Sequence, residues 1–149
     1  MTDPRELYQQ VILEHNKKPR NFGRLEPCTH RADGHNPLCG DRLELTLWVK
    51  DGVVEDVKFQ GQGCAIDVAS ASLMTTAIKG KPLAEVERLG EQFRAMVRGE
   101  LDPGRQPHDL GKLSMFQGVK DLPVRVKCAV LPWATLHSAL QGEAIASTE

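Results

Sequence analysis

The sequence predicts an α+β fold in which several helices pack against a small antiparallel β-sheet of about three strands. Early in the chain, apolar and polar residues alternate on either side of a turn signal, whereas apolar residues at helical spacing dominate the later part. A chain of 149 residues, 40% of them apolar, is long enough to bury one core. We therefore expect one domain that spans residues 1–149.

The first predicted element is a short amphipathic helix over residues 4–17. Apolar residues recur there at helical spacing, and Pro4 suits the first helical turn. Either Thr2 or Asp3 is available as the N-cap residue.

A loop and a hairpin are predicted next. Residues 18–40 contain several prolines, glycines and asparagines, so we expect mostly loop with a brief strand around residues 29–32. Residues 43–49 then alternate between apolar and polar, and the alternation resumes over residues 53–59. The intervening Asp51-Gly52 is a strong turn signal, which predicts a β-hairpin.

Three further helices are predicted. One covers residues 65–79 and begins close to Cys64, the second covers 83–98, and the last runs from about 123 to 140. Pro132 is expected to break or kink the last helix. The residues of that helix expected to face the interior are Val126, Val130, Trp133, Leu136, His137 and Leu140.

Two segments are predicted to lie outside the core. Residues 99–117 begin with a stretch rich in Pro, Gly and Asp and end with a short apolar cluster, which is typical of an inserted excursion. Residues 142–149 are expected to form a frayed tail.

Composition excludes several classes of function. Lys and Arg total 19 against 20 acidic residues, with no long run of one sign, so nucleic acid is not an expected partner. The N-terminal residues do not resemble a signal peptide, and no segment approaches the roughly 20 apolar residues that span a bilayer. We expect a cytoplasmic protein without membrane contact, whose four cysteines are free thiols or metal ligands.

Three of these cysteines suggest a metal or redox site. Cys39 and Asp41 flank Gly40, whose freedom to turn can direct a thiol and a carboxylate toward one centre. Cys64 follows two glycines at a predicted helix start, which stabilises thiolate, and Cys128 lies near the beginning of the last helix. Three thiolates and a carboxylate suit tetrahedral zinc, although free cysteines also serve as small buried apolar groups.

Two longer motifs contain these residues. The segments Asn-Pro-Leu-Cys-Gly-Asp (36–41) and Gly-Gln-Gly-Cys-Ala-Ile-Asp-Val-Ala-Ser-Ala-Ser (61–72) resemble the two signature segments of the IscU/SufU/NifU N-terminal family. Residues 7–23 and 125–128 are similar to that family too. Three departures from the housekeeping scaffold of that family indicate the SufU-like branch. Lys127 stands where that scaffold has histidine, and the scaffold's Leu-Pro-Pro-Val-Lys motif is absent from this sequence. About twenty residues are also inserted between Cys64 and Cys128.

The resemblance implies an α+β fold of the IscU/SufU type and a role in iron–sulfur cluster assembly. It implies that Cys39, Asp41, Cys64 and Cys128 bind zinc. It further implies that Cys39 accepts persulfide sulfur from a SufS-type cysteine desulfurase and passes it to downstream assembly machinery, as a sulfurtransferase-like carrier. Two alternatives remain: a scaffold holding a transient [2Fe–2S] cluster on the same residues, and an interaction module with a structural zinc.

Other candidate residues are assigned lesser roles. Cys28 is interpreted as a bystander thiol and His35 as a surface or packing residue. Arg125 and Lys127 either offset the negative charge of a loaded site, contact the desulfurase or form a solvated basic pair.

Overall fold

The computed structural model describes residues 4–147, with side chains described for residues 8–146. In chain order the elements are α1 (Pro4–Lys17), β1 (His30–Asn36), β2 (Asp41–Lys50), β3 (Val53–Gln62), α2 (Ala65–Ile78), α3 (Leu83–Val97), a 3₁₀ helix (Gly111–Asp121), α4 (Pro123–Leu140) and β4 (Ile145–Ser147). The expected N-cap, Thr2 or Asp3, lies outside the described residues. Of the helices in this range, none has the length and apolarity to cross a bilayer.

The predicted hairpin is confirmed as β2 and β3. Asp51 and Gly52 both adopt positive φ, of 54° and 75°, which matches the strand twist of a tight two-residue turn. Leu43, Leu45 and Leu47 are buried on one face of β2, as the alternation predicts. The α+β class is also confirmed, because helices cover this face of the sheet.

The sheet has four strands in the order β3-β2-β1-β4, where about three were predicted. Strand β1 extends well beyond the predicted residues 29–32 and pairs antiparallel with β2. Residues 145–147 were predicted to be part of a frayed tail, but they pair in parallel with β1 as β4. The prediction failed because the stability of this short strand comes from the free edge of β1, which no local pattern shows.

The main core lies between the helices and the sheet. Phe93 of α3 stacks on Trp133 of α4 with ring centroids 4.9 Å apart, and Phe116 meets Phe93 edge-on at 5.6 Å. Leu113, Phe116 and Val119 of the 3₁₀ helix are buried. The end of the predicted excursion over residues 99–117 is therefore part of the core, because its apolar cluster packs against the Phe93 ring of α3.

Helix α4 differs from its prediction in two respects. It continues through Pro132, so of the predicted break or kink the break is absent, since tertiary packing on both sides holds the helix where one backbone bond is missing. His137, expected to face the interior, is exposed. The buried residues of α4 include Trp133 and Leu136 as predicted, but also Cys128 and Thr135, because the helix is covered on more than one face.

Gly34 allows α4 to pack closely on β1. A Cβ atom at this position would overlap Thr135 Oγ1 and would lie 3.2 Å from Leu131 Cδ1. We expect Gly34→Ala to lower the free energy of unfolding by about 1–3 kcal/mol through overpacking, measured by urea denaturation. Gly118→Ala is the control, because a Cβ there meets nothing within 4 Å. Equal stability of the two variants would contradict this account of the contact.

The burial of His15 makes the free energy of unfolding depend on pH. This histidine is buried on α1, with Nδ1 2.6 Å from Ser72 Oγ, and burial lowers its pKa below the ordinary 6.5. The unfolded chain therefore binds the proton more readily. The stability from neutral His15 is complete above pH 6.5 and is lost as the pH falls through that value toward the lower folded pKa.

Urea unfolding at neutral and mildly acidic pH tests this expectation. His15→Gln should weaken the loss of stability between the two conditions. His137→Gln, at an exposed position on α4, should leave the loss unchanged. If His15→Gln loses as much stability as the wild type, the expectation is wrong.

Candidate metal centre

Cys39 and Asp41 lie on either side of a tight turn between β1 and β2. Gly40 has a φ of 71°, a left-handed conformation that glycine adopts without steric cost. Asp41 is the first residue of β2 and is fully buried, whereas Cys39 is half-buried. The turn predicted at Gly40 is thus present.

Cys64 and Cys128 are brought to the same end of the sheet by the two helices that carry them. Cys64 is the N-cap residue of α2, directly after β3, as predicted. Cys128 is fully buried on α4. A hydrogen bond of 2.7 Å from Ser70 Oγ to the Ala129 carbonyl joins α2 to α4 beside it.

Three of the four predicted ligands converge. The ligand atoms of Cys39, Asp41 and Cys128 all lie within 4.8 Å of one another, and the sulfurs of Cys39 and Cys128 are 3.6 Å apart. The Cys64 sulfur is not part of this cluster. Its backbone N–H, however, donates a hydrogen bond of 2.9 Å to Asp41 Oδ1, so Cys64 adjoins the cluster.

Asn36 is a site residue that the sequence did not single out. It is fully buried at the end of β1, opposite Asp41 in the strand register. Its Nδ2 donates to Asp41 Oδ2 at 3.2 Å and lies 3.8 Å from Cys128 Sγ. In the sequence, an asparagine before a proline at the end of a strand is typical of a turn. Only the packing of β1 on α4 therefore reveals that Asn36 holds Asp41.

The site concentrates acidic side chains beside the exposed Arg125. Burial and the neighbouring Cys64, Asp41 and Cys39 side chains raise the pKa of the Cys128 thiol. Burial, together with the charge of Asp41, raises the pKa of Asp67 to about 8. The pKa of Arg125 is also raised, because its guanidinium lies near the sulfurs of Cys128 and Cys64. Arg125 therefore lies beside two of the predicted ligands.

The remaining candidates do not belong to the cluster. Cys28 is a half-buried free thiol in the loop before β1, and His35 is half-buried on β1. Neither contributes to the group of Cys39, Asp41 and Cys128.

The donor set fits a thiophilic metal. Two thiols and a carboxylate are already convergent, a third thiol is adjacent, and Asn36 Oδ1 and Asp67 Oδ1 are buried without a hydrogen-bond partner within the described residues. Sulfur ligands with one oxygen suit tetrahedral zinc, and thiolate-rich sites also accept iron–sulfur clusters. The arrangement can hold a metal, and of its three cysteines Cys39 and Cys64 are half-accessible whereas Cys128 is buried.

Comparison with known proteins identifies the family. Residues 7–129 match the model of the NifU-like N-terminal domain. The chain belongs to this family. It is 44% identical over 138 residues to the zinc-dependent sulfurtransferase SufU of Bacillus subtilis, covering 92% of this chain and 91% of the relative. It is 40% identical over 136 residues to the iron–sulfur cluster assembly scaffold protein IscU of Thermotoga maritima, covering 91% and 93%.

A solved structure agrees with this assignment. A crystal structure from Fervidobacterium islandicum, of a candidate iron–sulfur cluster assembly scaffold protein for the SUF system, superimposes with a TM-score of 0.80 at 34% identity. The match covers 88% of this chain and 94% of the other. The resemblance to the NifU-like N-terminal family, its fold and its place in iron–sulfur cluster assembly are thereby confirmed.

Proposed function

We propose that this protein is a zinc-dependent sulfur acceptor, which takes persulfide sulfur from a cysteine desulfurase and passes it on to cluster assembly. The observation that carries the proposal is the convergence of half-accessible Cys39 with buried Asp41 and Cys128. A buried pair of donors beside one accessible thiol suits a site that binds a metal and also exchanges sulfur.

Cys39 is the best-placed nucleophile of the three cysteines. Cys128 is fully buried, so an incoming persulfide does not reach it. Cys64 is half-buried, but its sulfur accepts the Asp67 N–H at 3.5 Å as the cap of α2. Cys39 lies in an exposed turn beside Leu38, which is 62% exposed.

The transfer step is a thiol–disulfide type of exchange. The Cys39 thiolate attacks the outer sulfur of the partner's persulfide, a new S–S bond forms at Cys39, and the partner's own S–S bond breaks. The electron pair of the broken bond leaves with the partner's cysteine as a thiolate. No net oxidation occurs, because the sulfane sulfur moves from one thiol to another. Arg125, beside the cysteine sulfurs, stabilises negative charge during the exchange.

The residues that would hold zinc are Cys39, Asp41, Cys64 and Cys128. When bound, zinc keeps the thiols deprotonated at neutral pH. Asp41 is a hard oxygen donor among soft sulfurs, which favours ligand exchange over a closed structural site. Asn36 orients Asp41 through the hydrogen bond to Oδ2.

The expected partners follow from this chemistry. A SufS-type cysteine desulfurase supplies the persulfide, and the downstream iron–sulfur assembly machinery receives the sulfur. Exposed apolar residues near Cys39 and Cys128 offer contact area for these partner proteins: Leu38, Leu122 and Val124. Free thiols of this kind suit the reducing cytoplasm.

The test is an anaerobic incubation of the zinc-loaded protein with a SufS-type desulfurase and cysteine. Desulfurase turnover is measured, and any added sulfur is located by peptide mass analysis. Increased turnover with sulfur on Cys39 supports the proposal. If neither occurs, the sulfur-acceptor function is wrong.

A scaffold for a transient [2Fe–2S] cluster is the second candidate function. The observation in its favour is that two sulfurs, Cys39 and Cys128, lie together beside a third cysteine. Anaerobic reconstitution with iron and sulfide, followed by transfer of the cluster to an apo-ferredoxin, distinguishes it. A transferable cluster without sulfur on Cys39 would replace the first proposal with this one.

A further inference from the structure

Two acidic side chains, Asp41 and Asp67, lie near one backbone N–H at the start of helix α2. Cys64 is the N-cap residue, and Asp67 stands three positions later. In the usual capping box, the carboxylate at that third position accepts the N–H of the N-cap residue. Here the Cys64 N–H donates to Asp41 Oδ1 at 2.9 Å. Asp41 therefore occupies the place that the sequence of the helix assigns to Asp67.

Asp67 is left buried with an unused acceptor. Its side chain is 2% exposed, and its Oδ1 has no hydrogen-bond partner in the part of the chain that the structure describes. Its backbone N–H is satisfied by the Cys64 sulfur at 3.5 Å. Because burying a polar oxygen without a hydrogen-bond partner is unfavourable, this arrangement does not contribute to stability. A role at the neighbouring site explains it better.

The two carboxylates approach the same backbone position. A Cβ atom on Gly63 would overlap Asp67 Oδ2 and would lie 2.8 Å from Asp41 Oδ1. Gly63 directly precedes Cys64, so both carboxylates are beside the Cys64 N–H. Rotation of the Asp67 side chain brings it into the capping position that Asp41 now holds.

Both oxygens of Asp41 accept one hydrogen bond in the present arrangement. Its Oδ1 accepts from the Cys64 N–H, and its Oδ2 accepts from Asn36 Nδ2 at 3.2 Å. Each oxygen keeps a second lone pair for a metal, but a rotation of the carboxylate toward the metal would lengthen the bond from the Cys64 N–H. If Oδ1 turns to the metal, the cap of α2 loses its acceptor unless another carboxylate replaces it.

We propose that Asp67 is a positioning residue, whose carboxylate accepts the Cys64 N–H whenever Asp41 turns to a metal. The inference rests on the metal-binding function proposed above. Asp67 keeps α2 capped and the Cys64 sulfur in place while Asp41 changes partners. Asp41 can then bind and release a metal without disturbing the start of the helix.

The exchange of partners is testable in the metal-free protein. Hydrogen exchange of the Cys64 amide is measured by NMR in the wild type, Asp67→Ala, Asp41→Ala and the double variant. Each single variant retains one acceptor, so its amide should stay protected. The double variant should exchange at least about tenfold faster. If Asp41→Ala alone exchanges as fast as the double variant, Asp67 does not replace Asp41 and the proposal is overturned.

Zinc affinity tests the connection to the metal and leaves all four proposed ligands unchanged. In competition with a chromophoric chelator, Asp67→Ala should bind zinc about tenfold more weakly than the wild type, a typical loss when a group supporting a metal ligand is removed. Asp67→Asn keeps an oxygen acceptor and should restore most of this affinity. Asp56→Asn is the matched control, because Asp56 pairs with Trp48 near the opposite end of the β2–β3 hairpin.

The outcomes distinguish failure of the positioning role of Asp67 from failure of the proposed zinc-dependent function. If the wild type binds zinc and Asp67→Ala binds it equally well, the positioning role is overturned while the proposed function stands. If the wild type binds no zinc, the proposed function fails, and the role of Asp67 at the metal fails with it.

Discussion

Replacing Cys39 with alanine is expected to abolish sulfur uptake from a cysteine desulfurase, with a loss of more than about a hundredfold. Cys39 is half-exposed in a turn, while Cys128 is buried and the Cys64 sulfur caps α2. We therefore expect neither Cys128, which is out of reach, nor Cys64, which is held as the helix cap, to take over as nucleophile. Labelled sulfur bound per protein, with the peptide located by mass analysis, measures the loss.

The same variant should leave the metal-free fold nearly unchanged. Because Cys39 lies in a turn outside the main core, we expect its removal to alter the free energy of unfolding by less than about 1 kcal/mol. Cys28→Ala is the matched control, since it removes a half-buried thiol outside the cluster and should retain full sulfur uptake. Undiminished uptake by Cys39→Ala, with sulfur on Cys64, would show that the nucleophile is misassigned.

Removal of zinc is expected to reduce stability strongly without unfolding the protein. Free zinc at a thousand times its dissociation constant should add about 4 kcal/mol to the free energy of unfolding. The metal-free chain should nevertheless unfold cooperatively, because Phe93, Phe116 and Trp133 form a core that includes none of the proposed ligands. Thermal unfolding and circular dichroism, before and after chelation, measure both effects.

This measurement also tests the alternative hypothesis that the protein is an interaction module with a structural zinc. Such a module unfolds when the metal is removed, as small zinc-dependent domains do. Loss of secondary structure on chelation would therefore favour that reading over the exchangeable site. Cys28→Ala keeps all four proposed ligands and should show the same zinc-dependent increase as the wild type.

The sequence by itself determined the elements whose signals are local. The alternation around Asp51-Gly52 predicted the hairpin, because side-chain period and turn chemistry are properties of adjacent residues. Helical spacing predicted the long helices within a residue or two of their ends. Two short motifs containing Cys39, Asp41 and Cys64 indicated the family, which the comparisons confirmed.

Contacts between distant segments were decided only by the tertiary structure. Strand β4 depends on the free edge of β1, more than a hundred residues away in the chain, and the buried 3₁₀ helix depends on the Phe93 ring of α3. The roles of Asn36 and Asp67 arise from the packing of β1 against α4 and from the approach of Asp41 to the cap of α2. Local sequence determines which conformation a segment prefers, whereas the partners of a buried polar group depend on which surfaces meet when the core closes.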